Sequence, residues 1–309
     1  MTTAPWTPAL LPSLSGRRIV ITGGNAGLGY WAAEFLARRG ATIVLAARNE
    51  QRATSAIASI LSRAPRGDVS WLKLDVADLG SVEEAAGQLA GSRIDVLIAN
   101  AGVTSASPRS FTRDGFELMF GTNVLGHFAL IARLMPTLVD TPGSRVITLG
   151  SISHEFNELD LDDLMSERDY SSFRTYSRSK LAAMLIAFEL DRRLRRAKLP
   201  VSSLAAHPGF ALDELSAARP GISNGKPANL LVRTALRSFA HGKDAGALPV
   251  VRAAADPVAR GGEYWGPDGW RQLKGSPIVV RARNRSRDIR TASELWSAAE
   301  QLTGTTLDV

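Results

Sequence analysis

Tyr176 and Lys180 stand four residues apart inside Phe173–Arg196, a stretch whose apolar spacing predicts a helix. Four residues make about one helical turn, so the phenol and the ammonium share a face. A free phenol titrates near 10, too high to trade protons readily at neutrality, and a neighbouring cation favours its ionised form. Bringing it to 7 would take about 4 kcal/mol of differential interaction. Alone, Tyr-x-x-x-Lys is a common pattern that is mostly structural. Its meaning depends on what precedes it.

Thr22-Gly23-Gly24-Asn25-Ala26-Gly27-Leu28-Gly29 follows the β-branched run Arg18–Ile21 and opens the helical pattern Leu28–Arg39. Strand, glycine-rich turn and helix in that order form a phosphate cradle. Gly23 allows the sharp turn, Gly27 a close backbone approach to a pyrophosphate, and Gly29 tight helix–sheet packing. The helix N-terminus offers free N–H groups and its positive dipole end. No G-x-x-x-x-G-K-[ST] occurs, which disfavours nucleotide hydrolysis on a P-loop. About twenty residues on, where a carboxylate would grip the ribose of NAD, stands Ala46-Ala47-Arg48-Asn49. A guanidinium there suits a 2′-phosphate, and a charge-assisted bond of roughly 1.5–3 kcal/mol favours NADP(H) by about 10–100-fold, with NAD(H) still usable. A solvated arginine at a strand end is the alternative.

These groups need a scaffold, and the chain supplies alternating strands and helices. Strands are predicted at Arg18–Ile21, Thr42–Leu45, Ser70–Leu74, Asp95–Ile98, Arg145–Leu149 and Val201–Ala205. Helices fall at Leu28–Arg39, Gln51–Ser62, Ser81–Leu89, roughly Phe116–Leu138, and Phe173–Arg196. Such βαβ units imply an α/β fold, a doubly wound Rossmann-type parallel sheet with helices on both faces. With no repeat and no linker, one domain spans 1–309, comprising an arm at 1–16, a substrate lid at 208–240 and a C-terminal extension at 260–309.

The 309 residues are 22% charged and 45% hydrophobic, ordinary for a chain that buries a full core. Gly and Pro total 27 + 15 = 42, which excludes collagen-like and low-complexity chains. The absence of cysteine removes disulfides, thiolate nucleophiles and Cys-ligated metals. The histidines at 127, 154, 207 and 241 lack ligand spacing, so no metal is expected. No apolar run approaches the ~20 residues of a membrane span, and Met1–Arg18 lacks the order of a secretory signal, so a cytoplasmic location is expected. The net charge of +7 concentrates in Arg271–Arg290, where seven cations face Asp288 alone. With no aromatic residue interleaved, a solvated surface is favoured over a polyanion or membrane-surface contact, and no nucleic-acid partner is expected.

Read together, the motifs resemble the short-chain dehydrogenase/reductase family over nearly the whole chain. They are Thr22–Gly29, Asp75-Val76, Asn100-Ala101-Gly102, Asn123, Ser151, Tyr176-x-x-x-Lys180 and His207-Pro208-Gly209. The segments Leu14-Ser15-Gly16-Arg17 and Phe120–Phe128, with the loop after His207-Pro208-Gly209, are most similar to its retinol-dehydrogenase-like branch. The resemblance implies that Ser151 binds the substrate oxygen and Tyr176 transfers the proton. Lys180 would hold the nicotinamide ribose and lower the tyrosine pKa, and Asn123 would anchor a water relay behind it. Asp75 and Val76 would flank adenine, with Asn25, Ala26, Leu28, Asn100, Ala101, Gly102, Pro208 and Gly209 around the cofactor. The expected substrate is an apolar ketone, aldehyde or alcohol. Asp213 stands where the family usually has a threonine touching the carboxamide, and Ile152–Thr175 is longer than in compact members and expected at the surface. His154 and His207 are expected to be structural or to line the substrate site rather than act as bases. Two competing readings are a nucleotide-sugar epimerase or dehydratase, which normally has different glycine spacing, and a non-catalytic redox sensor, which would typically lose the tyrosine or lysine. The two longest helices could pair between subunits as a homo-oligomer, although their apolar stripes also fit the sheet.

Overall fold

A computed structural model describes residues 6–222 and 230–309. Eight strands form its main sheet: β1 (Arg18–Thr22), β2 (Thr42–Ala47), β3 (Asp68–Lys73), β4 (Val96–Ala99), β5 (Ser144–Leu149), β6 (Val201–Ala206), β7 (Tyr264–Pro267) and β8 (Pro277–Val279). Their order is β8-β7-β6-β5-β4-β1-β2-β3, parallel throughout except for the antiparallel pair β7/β8. The order reverses between β1 and β4, so a crevice opens beyond the carboxyl ends of those strands. Around the sheet lie α1 (Gly27–Ala37), α2 (Glu50–Leu61), α3 (Leu79–Leu89), α4 (Leu118–Val139), α5 (Ser172–Arg196), α6 (Leu248–Ala255) and α7 (Ile289–Thr303).

The central strands are buried on both faces, which explains their unbroken apolar runs. Neighbours in β1 feed opposite layers: Val20 joins Leu97, Val146 and the α4 and α5 side chains, whereas Ile19 and Ile21 join Ile43, Leu45 and the α1 and α6 side chains. The six strands and five helices expected from periodicity are all present, with ends moved by one or two residues.

The C-terminal part adds to the expected sheet. Residues 260–309 are no mere extension: β7 pairs parallel with β6, and Tyr264 and Trp265 are buried. Gly266 and Pro267 disguise this strand, since both residues weaken a strand pattern. Trp296 of α7 is fully buried between Phe128, 5.2 Å away between ring centres, and the guanidinium of Arg193, 4.3 Å above its ring. The C-terminal helix thus covers faces of α4 and α5 that could have served a second subunit. Helix α4, 22 residues with mean hydropathy 1.3, is long and apolar enough to cross a membrane, yet its most apolar stretch is 89% buried inside the fold. As a run of residues it is broken by Thr122, Asn123, His127 and Arg133, and it serves here as a core helix.

Candidate active site

The crevice is a cleft of about 850 Å³. Of the expected site residues, Gly23, Asn25, Ala26, Gly27, Leu28, Arg48, Asp75, Val76, Asn100, Ala101, Gly102, Ser151, Tyr176, Lys180, Pro208 and Gly209 line it. Gly29 and Asn123 do not.

At the cleft floor α1 begins at Ala26 with no side-chain cap and no acid in its first turn. Its first N–H groups are therefore available to an anion. Gly27 adopts a left-handed conformation, φ +56°, which a side chain would strain. Gly29 serves the scaffold instead: a Cβ there would fall 2.5 Å from Asn100 Nδ2. That amide donates to the Thr22 carbonyl at 2.8 Å and stitches β4 to β1. Thr22 Oγ1 accepts from the backbone N–H of Asn100 and Ala101, each at 2.9 Å, and meets His127 Nε2 at 2.9 Å. Burial pushes His127 down to about 4, so this link is made by a neutral ring.

At one end Arg48 extends from the end of β2, its side chain 76% exposed, with Asp75 at 4.0 Å. Asn49 beside it caps α2 by accepting from Arg52 N at 2.8 Å. Asp75 Oδ1 accepts from Ala77 N at 3.0 Å, and Val76 is buried.

At the other end α5 presents Tyr176 and Lys180 to the loop after β5. Lys180 Nζ is buried and donates to the Leu149 carbonyl at 2.8 Å. Desolvation brings its pKa from 10.5 down to about 8. Burial raises the Tyr176 phenol, opposed by the neighbouring hydroxyls of Ser151 and Ser153. Desolvation is the largest influence on the phenol, and the Lys180 ammonium is directed at the Leu149 carbonyl. Ser151 Oγ accepts from Ser153 N at 3.1 Å and caps the turn Ile152–Glu155.

Asn123 lies in a π-helical turn, Gly121–Leu125, within α4. Its Oδ1 accepts from Val103 N at 2.8 Å, while Nδ2 donates to Val103 O at 3.0 Å and to Ser179 Oγ at 2.9 Å. The Asn123 side chain thus joins the β4 loop to the residue before Lys180.

Beside Ser151 and Tyr176 the mouth carries Phe156 and Phe173, exposed and 5.7 Å apart between ring centres, with Phe210 stacked on Phe239 at 5.9 Å. Phe156, Phe173 and Phe210 line the cleft. The first two were missed, although Phe173 precedes Tyr176 by about one helical turn, and that was the available signal. The expected lid begins as the two-residue strand Ala211–Leu212, paired with His241–Gly242. Its part at 223–229, and the side chains of Leu230 and Leu231, lie outside the described residues.

His207 is buried, driven to about 3, and meets Gln272 Oε1 at 2.9 Å through Nε2. His154 is buried as well, its Nδ1 2.6 Å from the Ser151 carbonyl. Neither lines the cleft. Of the basic segment, Arg283 pairs with Glu155 at 2.7 Å, and Arg287 donates to the Gly262 carbonyl at 2.9 Å while covering the Phe188 ring. The segment's arginines are otherwise exposed, as expected of a solvated surface.

A glycine-rich turn at the sheet's switch point, sharing one cleft with a serine, a tyrosine and a lysine, describes a nicotinamide-dinucleotide oxidoreductase. Known proteins agree. A family model described as short chain dehydrogenase matches residues 17–218. Polyprenol dehydrogenase of Mus musculus is 35% identical over 307 residues, covering 96% of this chain and 87% of its own. Retinol dehydrogenase 13 of Homo sapiens is 34% identical over 297 residues, covering 94% and 86%. The crystal structure of an uncharacterised protein from Mycobacterium paratuberculosis superimposes with a TM-score of 0.80 at 37% identity, covering 99% of this chain and all of that one. The chain belongs to the short-chain dehydrogenase/reductase family, in its retinol-dehydrogenase-like branch.

Proposed function

We propose that this oxidoreductase interconverts apolar alcohols with their ketones or aldehydes, prefers NADP(H), and uses Tyr176 as its proton donor and acceptor. One observation carries the reading: a single cleft joins the exposed Arg48 guanidinium, the uncapped N-terminus of α1, the Ser151/Tyr176/Lys180 cluster and an aromatic mouth. The cradle fits a dinucleotide, since bare backbone at Gly27 and free N–H groups face the cleft and Arg48, not a carboxylate, directly follows β2. Gly23, Asn25, Ala26, Gly27 and Leu28 would hold the phosphates, Arg48 the 2′-phosphate, Asp75 and Val76 the adenine side. Asn100, Ala101, Gly102, Pro208 and Gly209 would wall the rest. When bound, the dinucleotide supplies or accepts hydride at the substrate carbon.

The protein's own groups manage the proton. Ser151 holds the substrate oxygen beside the Tyr176 hydroxyl, which donates to a carbonyl being reduced or accepts from an alcohol being oxidised. Lys180, its pKa lowered to about 8 by desolvation, would hold the nicotinamide ribose beside Tyr176. Phe156, Phe173 and Phe210 shelter an apolar chain. Two relatives named for retinol and polyprenol, both apolar alcohols, support that substrate class.

The test is kcat/KM along straight-chain aldehydes and ketones of increasing length, with Tyr176→Phe as the control. Each buried methylene should add up to about 0.8 kcal/mol, near fourfold. Tyr176→Phe should lose about 10²–10⁴-fold in turnover while still binding NADPH. A flat length series overturns the apolar site, and a near-normal Tyr176→Phe overturns the role of the phenol.

A further inference from the structure

The cleft is lined by three cations among the described residues: Arg48, Lys180 and Lys243. The first belongs to the adenosine end and the second is committed to the Leu149 carbonyl. Lys243, thirty residues beyond Asp213 in the chain, lies over the glycine turn. A Cβ built on Gly27 would come 3.5 Å from Lys243 Nζ and 3.7 Å from its Cδ. The ammonium therefore hangs above the left-handed glycine at the uncapped start of α1.

Its backbone is held in place. Lys243 N donates to Ser216 Oγ at 2.8 Å and opens the short helix Lys243–Gly246. That helix sits against α1 closely enough that a Cβ on Gly246 would fall 3.2 Å from Leu28 Cδ2. Opposite stands Asp213, whose Oδ2 accepts from Lys243 Nζ at 2.5 Å, with the two side chains only 33% and 26% exposed. Asp213 occupies the position where the family resemblance expects an uncharged threonine. Here a carboxylate faces the region that must receive phosphate, and an ammonium neutralises it.

We propose that Asp213 and Lys243 form an ionic latch across the dinucleotide cleft, and that Lys243 is a ligand of the cofactor pyrophosphate. Without cofactor the ammonium is held by Asp213. A diphosphate arriving at the start of α1 competes for it with two negative charges and with the dipole end behind it. Asp213 opposes binding twice, by occupying Lys243 and by repelling phosphate. Because the pyrophosphate is common to both dinucleotides, the latch sets affinity without choosing between them, unlike Arg48. The proposal rests on reading the cleft as a dinucleotide site.

Equilibrium binding tests it, followed by ligand fluorescence or calorimetry with NADPH, NADH, ADP and adenosine 2′-monophosphate. Lys243→Met should weaken NADPH, NADH and ADP by a common factor of about ten or more, the worth of one charge-assisted bond. It should leave adenosine 2′-monophosphate, which lacks the diphosphate, unchanged. Asp213→Asn keeps the lysine and should tighten the three diphosphates several-fold. Opposite signs from the two partners cannot arise from a general loss of structure. Unchanged diphosphate binding in Lys243→Met, equal weakening of all four ligands, or weaker binding in Asp213→Asn overturns the latch. If the wild-type protein binds neither dinucleotide, the reading of the cleft falls and the latch with it.

Discussion

Replacing Lys180 by methionine should make the protein more stable and inactive. Lys180 is 5% exposed, and its pKa falls from 10.5 to about 8, with desolvation as the cause. Each pKa unit corresponds to 1.36 kcal/mol, so keeping this lysine charged in the fold costs about 3 kcal/mol at pH 7. Methionine has nearly the same length and no charge, but it leaves the Leu149 carbonyl without its donor at a cost of about 1 kcal/mol. The net gain is about 2 kcal/mol. For 309 residues at about 2.1 cal/mol/K each, that raises Tm by about 3 °C. The pH dependence is more diagnostic. Between about 8 and 10.5 the unfolded chain binds the lysine proton and the folded chain does not, so wild-type stability rises with pH there relative to Lys180→Met. About 2 kcal/mol of the difference should vanish between pH 7 and 9.5. Urea unfolding of both proteins across that range measures it, and subtraction removes the other titrating groups. A constant difference, or a variant less stable at pH 7, would refute the claim that buried charge is the burden at this position.

Arg48→Ala should weaken NADPH about 10–100-fold and NADH little, since its guanidinium is 76% exposed and only loosely held by Asp75 at 4.0 Å; equal losses would show that Arg48 does not read the 2′-phosphate. Arg219→Ala should cost about 3 kcal/mol in urea unfolding. Arg219 donates to both carboxylate oxygens of fully buried Glu34, at 2.6 and 2.9 Å, and lies 4.1 Å above the Trp31 ring. A loss below about 0.5 kcal/mol, the range of ordinary surface changes, would mean that Arg63, 3.9 Å from Glu34, suffices.

What the sequence disclosed was mostly what neighbouring residues determine. The central strands were visible because burial on both faces demands continuous apolar runs, and α5 because Tyr176, Lys180 and their apolar neighbours keep helical spacing. The glycine turn was visible because its backbone tolerates few alternatives. What escaped was fixed by distant partners. Tyr264 and Trp265 become a strand by pairing with Ala205 and Ala206, 59 residues earlier, despite Gly266 and Pro267. Lys243 reaches Gly27 from more than two hundred residues away, and nothing in its local sequence distinguishes it from any surface lysine. The direction of the Lys180 side chain was fixed in the same way. Helical spacing placed the lysine on the correct face, but the Leu149 carbonyl, which belongs to another element, decides where the ammonium points.

The same distinction recasts the basic C-terminal segment. As a charge run it invited a polyanion, yet Arg283 pairs with Glu155 at 2.7 Å, and its backbone N–H makes a long 3.5 Å bond to His154 Nε2. The other ring nitrogen of His154 lies 2.6 Å from the Ser151 carbonyl. One tautomer satisfies both contacts, with Nδ1 donating to the carbonyl and Nε2 accepting from Arg283. A protonated ring would set donor against donor at Nε2, and burial lowers the pKa of His154, keeping the ring neutral. The position of Ser151 is therefore braced by a residue 132 positions later in the chain, through a histidine that does not itself line the cleft. The C-terminal segment completes the sheet with β7 and β8, covers the outer helices with α7 and, through His154, steadies the serine loop, so the site's geometry depends on contacts made far along the chain.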